Sequence, residues 1–229
     1  MKKISGIGFL FIFFSFAGYD QETYSRQNLG QASQKDLDLY LGKTVNLNKS
    51  EINFYFACGK VPWITARFFD FNENFNQTPF LKMIRILTNS DVKDSKFNIR
   101  LYSVNEDGSP GVYVYDKNIL GVARKGKEIT EIDISKLNIE FPEKGLFIAI
   151  EWLIIESNKY EYSYSMNDLK EKYLGIYYEP GLGTIPSETD ENSWIYNQGK
   201  WEKAPKNSGP NKRYKDKHNL LAIELTLTN

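Results

Sequence analysis

The 229-residue chain balances 29 Lys+Arg against 29 Asp+Glu, so it lacks the strongly basic character that would first point to a nucleic-acid partner. With 15 tyrosines, 15 phenylalanines and 4 tryptophans, common β-branched residues and no long Ala/Leu/Glu/Lys-rich runs, local propensity favours strands and leaves helix a minor component. The one cysteine, Cys58, cannot form an internal disulfide, so the fold has to rest on its hydrophobic core.

Met1-Lys2-Lys3 is a cationic start, Ile4 to Phe16 is mostly apolar, and Ser15-Phe16-Ala17 places small residues where a signal peptidase reads. Residues 1–17 are therefore expected to be a secretory signal peptide. The apolar run is shorter than the ~20 residues a membrane-spanning helix needs, and polar sequence follows from Tyr19. No cysteine follows the run for lipid attachment. The mature chain is expected in the periplasm, on the cell surface or outside, with no transmembrane span once the leader is removed.

Residues 18–36 are polar and aperiodic, as a flexible lead-in would be. From residue 37 the chain becomes regular. Leu37, Leu39 and Leu41 stand at strand spacing before a turn at Gly42-Lys43. Glu51 to Ala57 reads as a strand. Cys58 ends its alternating row of Ile52, Phe54 and Phe56, so it is expected to be a small buried hydrophobe rather than a reactive thiol. Trp63 to Phe71 and Leu81 to Leu87 are further strands, with the polar loop Asn72 to Gln77 between them and a turn at Thr88-Asn89-Ser90-Asp91.

Phe97 to Leu153 carries the clearest pattern. Phe97, Ile99 and Leu101 alternate with Asn98, Arg100 and Tyr102, which gives one apolar and one wetter face. Leu146 to Leu153 is apolar at almost every position, as a central strand covered on both sides would be. Between them lie the turn-rich Asn105 to Gly111 and a short strand candidate, Glu131 to Ser135.

Tyr160, Tyr162 and Tyr164 alternate with Glu161, Ser163 and Ser165, an aromatic strand face. Asn167 to Tyr173 reads as one or two helical turns or a polar excursion. Leu174 to Tyr178 is a strand candidate closed by Pro180-Gly181 and Gly183. Trp194-Ile195-Tyr196 and Lys200-Trp201 flank Asn197-Gln198-Gly199, a hairpin signal. Leu220 to Leu227 closes the chain as a strand with Leu221, Ile223, Leu225 and Leu227 in one apolar row.

About nine or ten short strands without βα alternation predict an all-β fold, a two-sheet antiparallel β-sandwich of jelly-roll type spanning residues 37–229 as one domain. No repeat of about 20 to 50 residues points to a propeller or solenoid.

The runs Ile99-Arg100-Leu101-Tyr102-Ser103-Val104, Asp107-Gly108-Ser109-Pro110-Gly111, Ile132-Asp133-Ile134-Ser135 and Phe141-Pro142-Glu143-Lys144-Gly145, with the following Phe147 to Trp152, carry a resemblance. Together they resemble the β-sandwich portion of bacterial envelope proteins called carboxypeptidase-like regulatory-domain proteins, over roughly Leu41 to Asn229. In that group the sandwich often follows a small regulatory-like domain, which this sequence does not show. The resemblance implies fold and location and no peptidase activity.

Enzyme signatures are sparse. His218 is the one histidine, and no Gly-x-Ser-x-Gly elbow accompanies it. A glycosidase would need two carboxyls facing one cleft, for which Glu151 and Asp133 are the candidates, although Asp133 alternates with Ile132 and Ile134 as a solvent-facing residue would. Asp70, Asn72, Glu73 and Asn74, and again Asn105, Glu106 and Asp107, concentrate oxygen donors. Neither follows an ordered calcium loop, and Asx-rich turns commonly lack metal. No metal or cofactor is therefore expected.

The second half is rich in aromatic residues, including Tyr177 and Tyr178. Tyr160, Tyr162, Tyr164, Trp194, Tyr196 and Trp201 are the candidate ligand-binding residues, since amphipathic rings stack on sugars or anchor a protein. The bland alternative is that they fill the core. Lys203, Lys206, Lys212, Arg213, Lys215 and Lys217 outnumber Glu202 and Asp216, as a solvated loop or a patch attracting acidic envelope groups would. The sequence is thus read as a secreted or envelope-associated module that binds a glycan or an envelope protein. The alternatives are a polysaccharide-active enzyme using a carboxylate pair and a structural subunit of an envelope complex.

Overall fold

The computed structural model describes residues 39–40, 47, 49–165 and 172–229. The expected leader, the lead-in, the turn at Gly42-Lys43 and most of the Asn167 to Tyr173 segment lie outside these residues. The first strands are β1 (Leu39–Tyr40), β2 (Tyr55–Cys58), β3 (Ile64–Phe69), β4 (Phe80–Ser90), β5 (Ser95–Val104), β6 (Pro110–Ala123) and β7 (Gly126–Asp133). They continue as β8 (Leu146–Trp152), β9 (Lys159–Ser165), β10 (Lys172–Ser187), β11 (Ser193–Asn197), β12 (Lys200–Lys203), β13 (His218–Leu221) and β14 (Ile223–Thr228).

One sheet has the order β12-β11-β3-β8-β5-β6. The other runs β1-β14-β4-β10-β13, with β7 beside β4 and β2 and β9 beside β10. Pairing between the named strands is antiparallel throughout, so the chain is an all-β sandwich of two sheets. These pairings establish the two-sheet class and not the jelly-roll order within it. Among the described residues no helix is long and apolar enough to cross a membrane.

The strand period explains the core. Phe97, Ile99 and Leu101 on β5 and Leu146, Ile148, Ile150 and Trp152 on β8 face Leu221, Ile223, Leu225 and Leu227 and Ile84 and Ile86 of the other sheet in one buried cluster. Cys58 is buried in the same cluster, and burial pushes its thiol up to about 11, out of the reactive range. The opposite face of β8 is covered too. Phe147 and Ala149 join Ala66, Tyr102 and Trp194 in a second buried cluster on the outside of the six-stranded sheet.

Trp152 and Arg67 are among the side chains that tie the sheets together. The Trp152 indole N–H donates to the Pro180 carbonyl of β10 at 2.8 Å, and its ring stacks on Trp63 at 4.7 Å. Arg67 on β3 lies in the core and donates to the carbonyls of Leu221 and Ile223 at 2.9 and 3.1 Å. Those carbonyls flank Ala222, where β13 ends and β14 begins.

The structure redraws several expected elements. Residues 110–123, where the sequence shows no regular period, form the 14-residue strand β6. The candidate at Glu131 to Ser135 is the end of β7, and Ser135 already belongs to a 3-10 turn, its N–H donating to the Asp133 carboxylate at 2.9 Å. Pro180, Gly181 and Gly183 do not close a strand. They lie within β10, where it passes from β9 to β2, β4 and β13 as partners. The closing strand is two strands, β13 and β14, interrupted at Ala222, whose N–H donates to the Gly183 carbonyl at 2.8 Å.

Candidate functional site

The six candidate aromatic residues divide between the two sheets. Tyr160, Tyr162 and Tyr164 lie on β9, which pairs with β10 over Lys172 to Tyr178. In this register Tyr160 is opposite Tyr177, Tyr164 is opposite Tyr173, and Tyr162 is opposite Gly175. All six positions share one face of the ribbon, because side chains alternate along each strand.

The rings make a continuous ladder. Tyr160 and Tyr162 are 6.3 Å apart at 13°, Tyr162 and Tyr177 are 5.0 Å apart at 10°, and Tyr164 contacts Tyr162 and Tyr173 at 5.7 and 5.8 Å. Gly175 makes this possible. A Cβ there would meet Cζ of Tyr162 at 2.3 Å, so the Tyr162 ring occupies the space over the glycine and covers a backbone that would otherwise weaken the strand. Each cross-strand aromatic contact contributes about 0.5–1 kcal/mol. That support matters locally, since a two-stranded ribbon is marginal in water and no residue from 172 to 178 is fully buried.

The ladder stays open to solvent at Tyr164, Tyr173 and Tyr177, which are 41%, 37% and 40% exposed. The Tyr162 hydroxyl donates to Tyr177, and this bond, followed by desolvation and the neighbouring phenols, pushes its pKa from 10.0 up to about 12. The raised value means that this bond stabilises the ribbon below pH 10 and is lost as pH climbs through about 12. Tyr177→Phe removes the acceptor, so residue-resolved NMR titration of tyrosine Cζ should show Tyr162 ionising closer to its ordinary value. An unchanged midpoint would refute the bond.

Trp194, Tyr196 and Trp201 sit elsewhere, on the β11-β12 hairpin of the six-stranded sheet. Its turn is the one the sequence signals, with Gln198 and Gly199 both at positive φ. Trp194 is only 7% exposed, packed against Phe147 at 6.2 Å with Lys203 over its ring at 4.5 Å. Tyr196 contacts Trp201 at 5.2 Å, and Trp201 meets Tyr102 of β5 at 5.3 Å. Four strand spacings separate β12 from β5, about 19 Å if the sheet were flat. The sheet therefore curls, and the hairpin folds its rings over the small Ala66 and Ala149. These three aromatic residues help to cover a satellite core and do not extend the ladder.

Tyr173 and Gly175 are functional candidates that the strand-by-strand reading misses. Their signal is the mirrored spacing of Tyr173, Gly175 and Tyr177 against Tyr160, Tyr162 and Tyr164.

The other candidate chemistries are placed as follows. Glu151 lies on the outer face of the six-stranded sheet, since its neighbours Ile150 and Trp152 face the core. Asp133 lies on the outer face of the other sheet, between the buried Ile132 and Ile134. The two carboxylates thus point away from each other on opposite sides of the sandwich, and they share no cleft. Hydrogen bonds from the Ser135 hydroxyl and N–H hold Asp133 below the usual carboxylate range. His218 is a buried residue of β13 whose Nδ1 donates to the Ala204 carbonyl at 2.8 Å, rather than a loop residue.

The oxygen-rich loops serve their own turns. The Asn72 side chain accepts from Asn74 N–H, and Asp107 accepts from the N–H and hydroxyl of Ser109. Among the described residues no group of three or more His, Cys, Asp or Glu side chains is placed to hold a metal ion. In the basic stretch, Lys203 donates to the carbonyls of Asp190 and Glu191, and Lys217 pairs with Glu188 at 2.8 Å. A shallow cleft lined by Val122, Arg124 and Glu128 to Glu131 includes none of the candidate aromatic residues.

No family model matches the chain, and no curated protein matches it in sequence. Solved structures similar to it include the cysteine protease and lectin-like domains of Cwp84, a surface-layer-associated protein of Clostridium difficile. That similarity has 13% identity and a TM-score of 0.43, over 73% of this chain and 32% of the other. Another is a variant of the clostridial cysteine protease Cwp84 after propeptide cleavage, at 14% identity and a TM-score of 0.47 over 87% of this chain and 42% of the other. The chain thus spans well under half the length of the proteins it resembles, and likeness at this level says nothing about a ligand.

Proposed function

We propose that this chain is a secreted or envelope-associated β-sandwich binding module whose ligand is a glycan, held on the tyrosine ladder of β9 and β10. The observation that carries this reading is the ladder itself. Five tyrosines contact one another along one face of a two-stranded ribbon, and three of them are more than a third exposed. Rings aligned in a row suit the C–H faces of consecutive sugars, while the phenol hydroxyls at their tips supply donors and acceptors for sugar hydroxyls. A secreted or envelope location is supported by the leader expected at residues 1–17 and by the resemblance to carboxypeptidase-like regulatory-domain envelope proteins.

Isothermal titration against neutral and acidic oligosaccharides tests this directly, with a Tyr160→Ala/Tyr164→Ala/Tyr173→Ala variant that leaves Tyr162 over Gly175. Loss of at least tenfold in affinity, about 1.4 kcal/mol, with the sandwich still folded, is the expected result. Equal binding by the variant would remove the ladder as the site. No binding of any glycan by the parent protein would turn the search to an envelope protein as partner.

A further inference from the structure

The outer face of the six-stranded sheet holds a second group of side chains, which the ladder does not use. Asn98 on β5 is directly opposite Glu151 on β8, and Arg100 follows on the same face. The Asn98 amide donates to Glu151 Oε2 at 2.9 Å and to Asn118 Oδ1 at 3.2 Å. The Arg100 Nε–H donates to the same Glu151 oxygen at 3.1 Å. Two of these bonds converge on one carboxylate oxygen. Among the described residues, the other oxygen of Glu151 and the two terminal nitrogens of Arg100 have no hydrogen-bond partner.

Both groups reach solvent, with the Glu151 and Arg100 side chains 32% and 19% exposed. Asn98 is 3% exposed, and its Oδ1 has no partner, so the polar network is incomplete as it stands. The Arg100 guanidinium lies 5.6 Å from the centre of the Tyr113 ring, and Tyr113 is half exposed. A free acceptor, free donors and an aromatic face therefore stand together on one patch of sheet.

The charges decide which ligand suits the patch. One guanidinium and one carboxylate cancel, so an anion would meet Glu151 and a cation would meet Arg100 at similar cost. A hydroxyl both donates and accepts, and two adjacent hydroxyls can engage the carboxylate oxygen and the guanidinium N–H groups at once. We propose that this patch is a second carbohydrate subsite, which takes a neutral sugar through adjacent hydroxyls between Glu151 and Arg100 with its C–H face towards Tyr113. The subsite is independent of the ladder, since β9 and β10 belong to the other sheet.

The test is 15N-HSQC titration of the whole protein with cellohexaose, xylohexaose and mannohexaose, with a hyaluronan hexasaccharide as the anionic comparison. At least one neutral sugar should shift the amides of residues 98–100, 113–118 and 149–151. In Glu151→Gln the amide oxygen keeps the position facing the Asn98 and Arg100 donors, which turns the free acceptor into an NH2 donor. The pair then offers donors only, so the affinity read from those shifts should fall at least tenfold, as it should in Tyr113→Ala, which keeps the test usable if the first variant misfolds. The shifts should persist in the Tyr160→Ala/Tyr164→Ala/Tyr173→Ala variant, so that failure of the ladder and failure of this subsite are told apart. The proposal is overturned if no neutral sugar shifts this face, if Glu151→Gln and Tyr113→Ala leave the affinity read from those shifts unchanged, or if hyaluronan is preferred.

Discussion

Trp152→Ala is expected to destabilise the sandwich by about 3–5 kcal/mol, the largest loss expected from any one side chain of the core. Trp152 is one of the largest fully buried side chains, and it combines three roles. It fills the inter-sheet core, stacks on Trp63 at 4.7 Å, and donates to the Pro180 carbonyl on the facing sheet at 2.8 Å. Alanine leaves a cavity and an unpaired carbonyl together. Against a total stability of about 5–15 kcal/mol, the loss should lower Tm by on the order of 10 °C for a domain of this size. Trp152→Phe keeps a ring against Trp63 and should cost less than half as much. Thermal melts followed by circular dichroism decide the matter, and an alanine variant with an unchanged Tm would contradict the packing described.

Arg67→Met is the second large effect, at about 2–4 kcal/mol. Burial draws the Arg67 guanidinium from 12.5 down to about 10, so it remains charged at neutral pH inside the core. Methionine restores most of the volume and removes the charge, which by itself favours the folded state. It also strips the carbonyls of Leu221 and Ile223 of their donor, and each buried unpaired carbonyl costs about 1–3 kcal/mol. Since only one side of the interaction is replaced, the loss should exceed the gain. Chemical denaturation gives the difference directly, and a variant as stable as the parent would show that the β13-β14 junction does not need the guanidinium.

The elements legible in the sequence are those whose side chains keep a strict period. Phe97, Ile99 and Leu101 on β5 and the continuous apolar run of β8 announce a buried face and a doubly covered strand, and the structure has both. Strand β6 is not legible in this way. Val112 to Tyr115 is apolar at every position, Asp116-Lys117-Asn118 interrupts the run, and the register against β5 shifts three times, so no two-residue period survives. Pattern also cuts β10 short at Pro180 and Gly181, because these residues usually end strands, whereas here they sit where one strand exchanges partners.

The site is legible only in part, for a related reason. Aromatic identity does not state which way a ring faces. Tyr160 and Trp194 look alike as candidates, yet one belongs to an open ladder and the other is sealed under a curled hairpin. Small residues carry the missing information. Gly175 gives room for the Tyr162 ring, and Ala66 and Ala149 lie beneath the rings of β11 and β12. Which strands meet across those small residues is set by long-range pairing, which local pattern cannot supply.

The ribbon of β9 and β10 is held by its own side chains and has little share in the inter-sheet core. Its amides should therefore exchange with solvent through a local opening that requires far less free energy than global unfolding, while those of β8 exchange only when the whole sandwich opens. A ligand that clasps the rings draws down that local equilibrium. Capture would then appear as slowed deuterium uptake confined to residues 159–165 and 172–178, beside a rise in Tm that grows with ligand concentration, and it is the exchange pattern rather than the melt that locates the ligand on the ribbon.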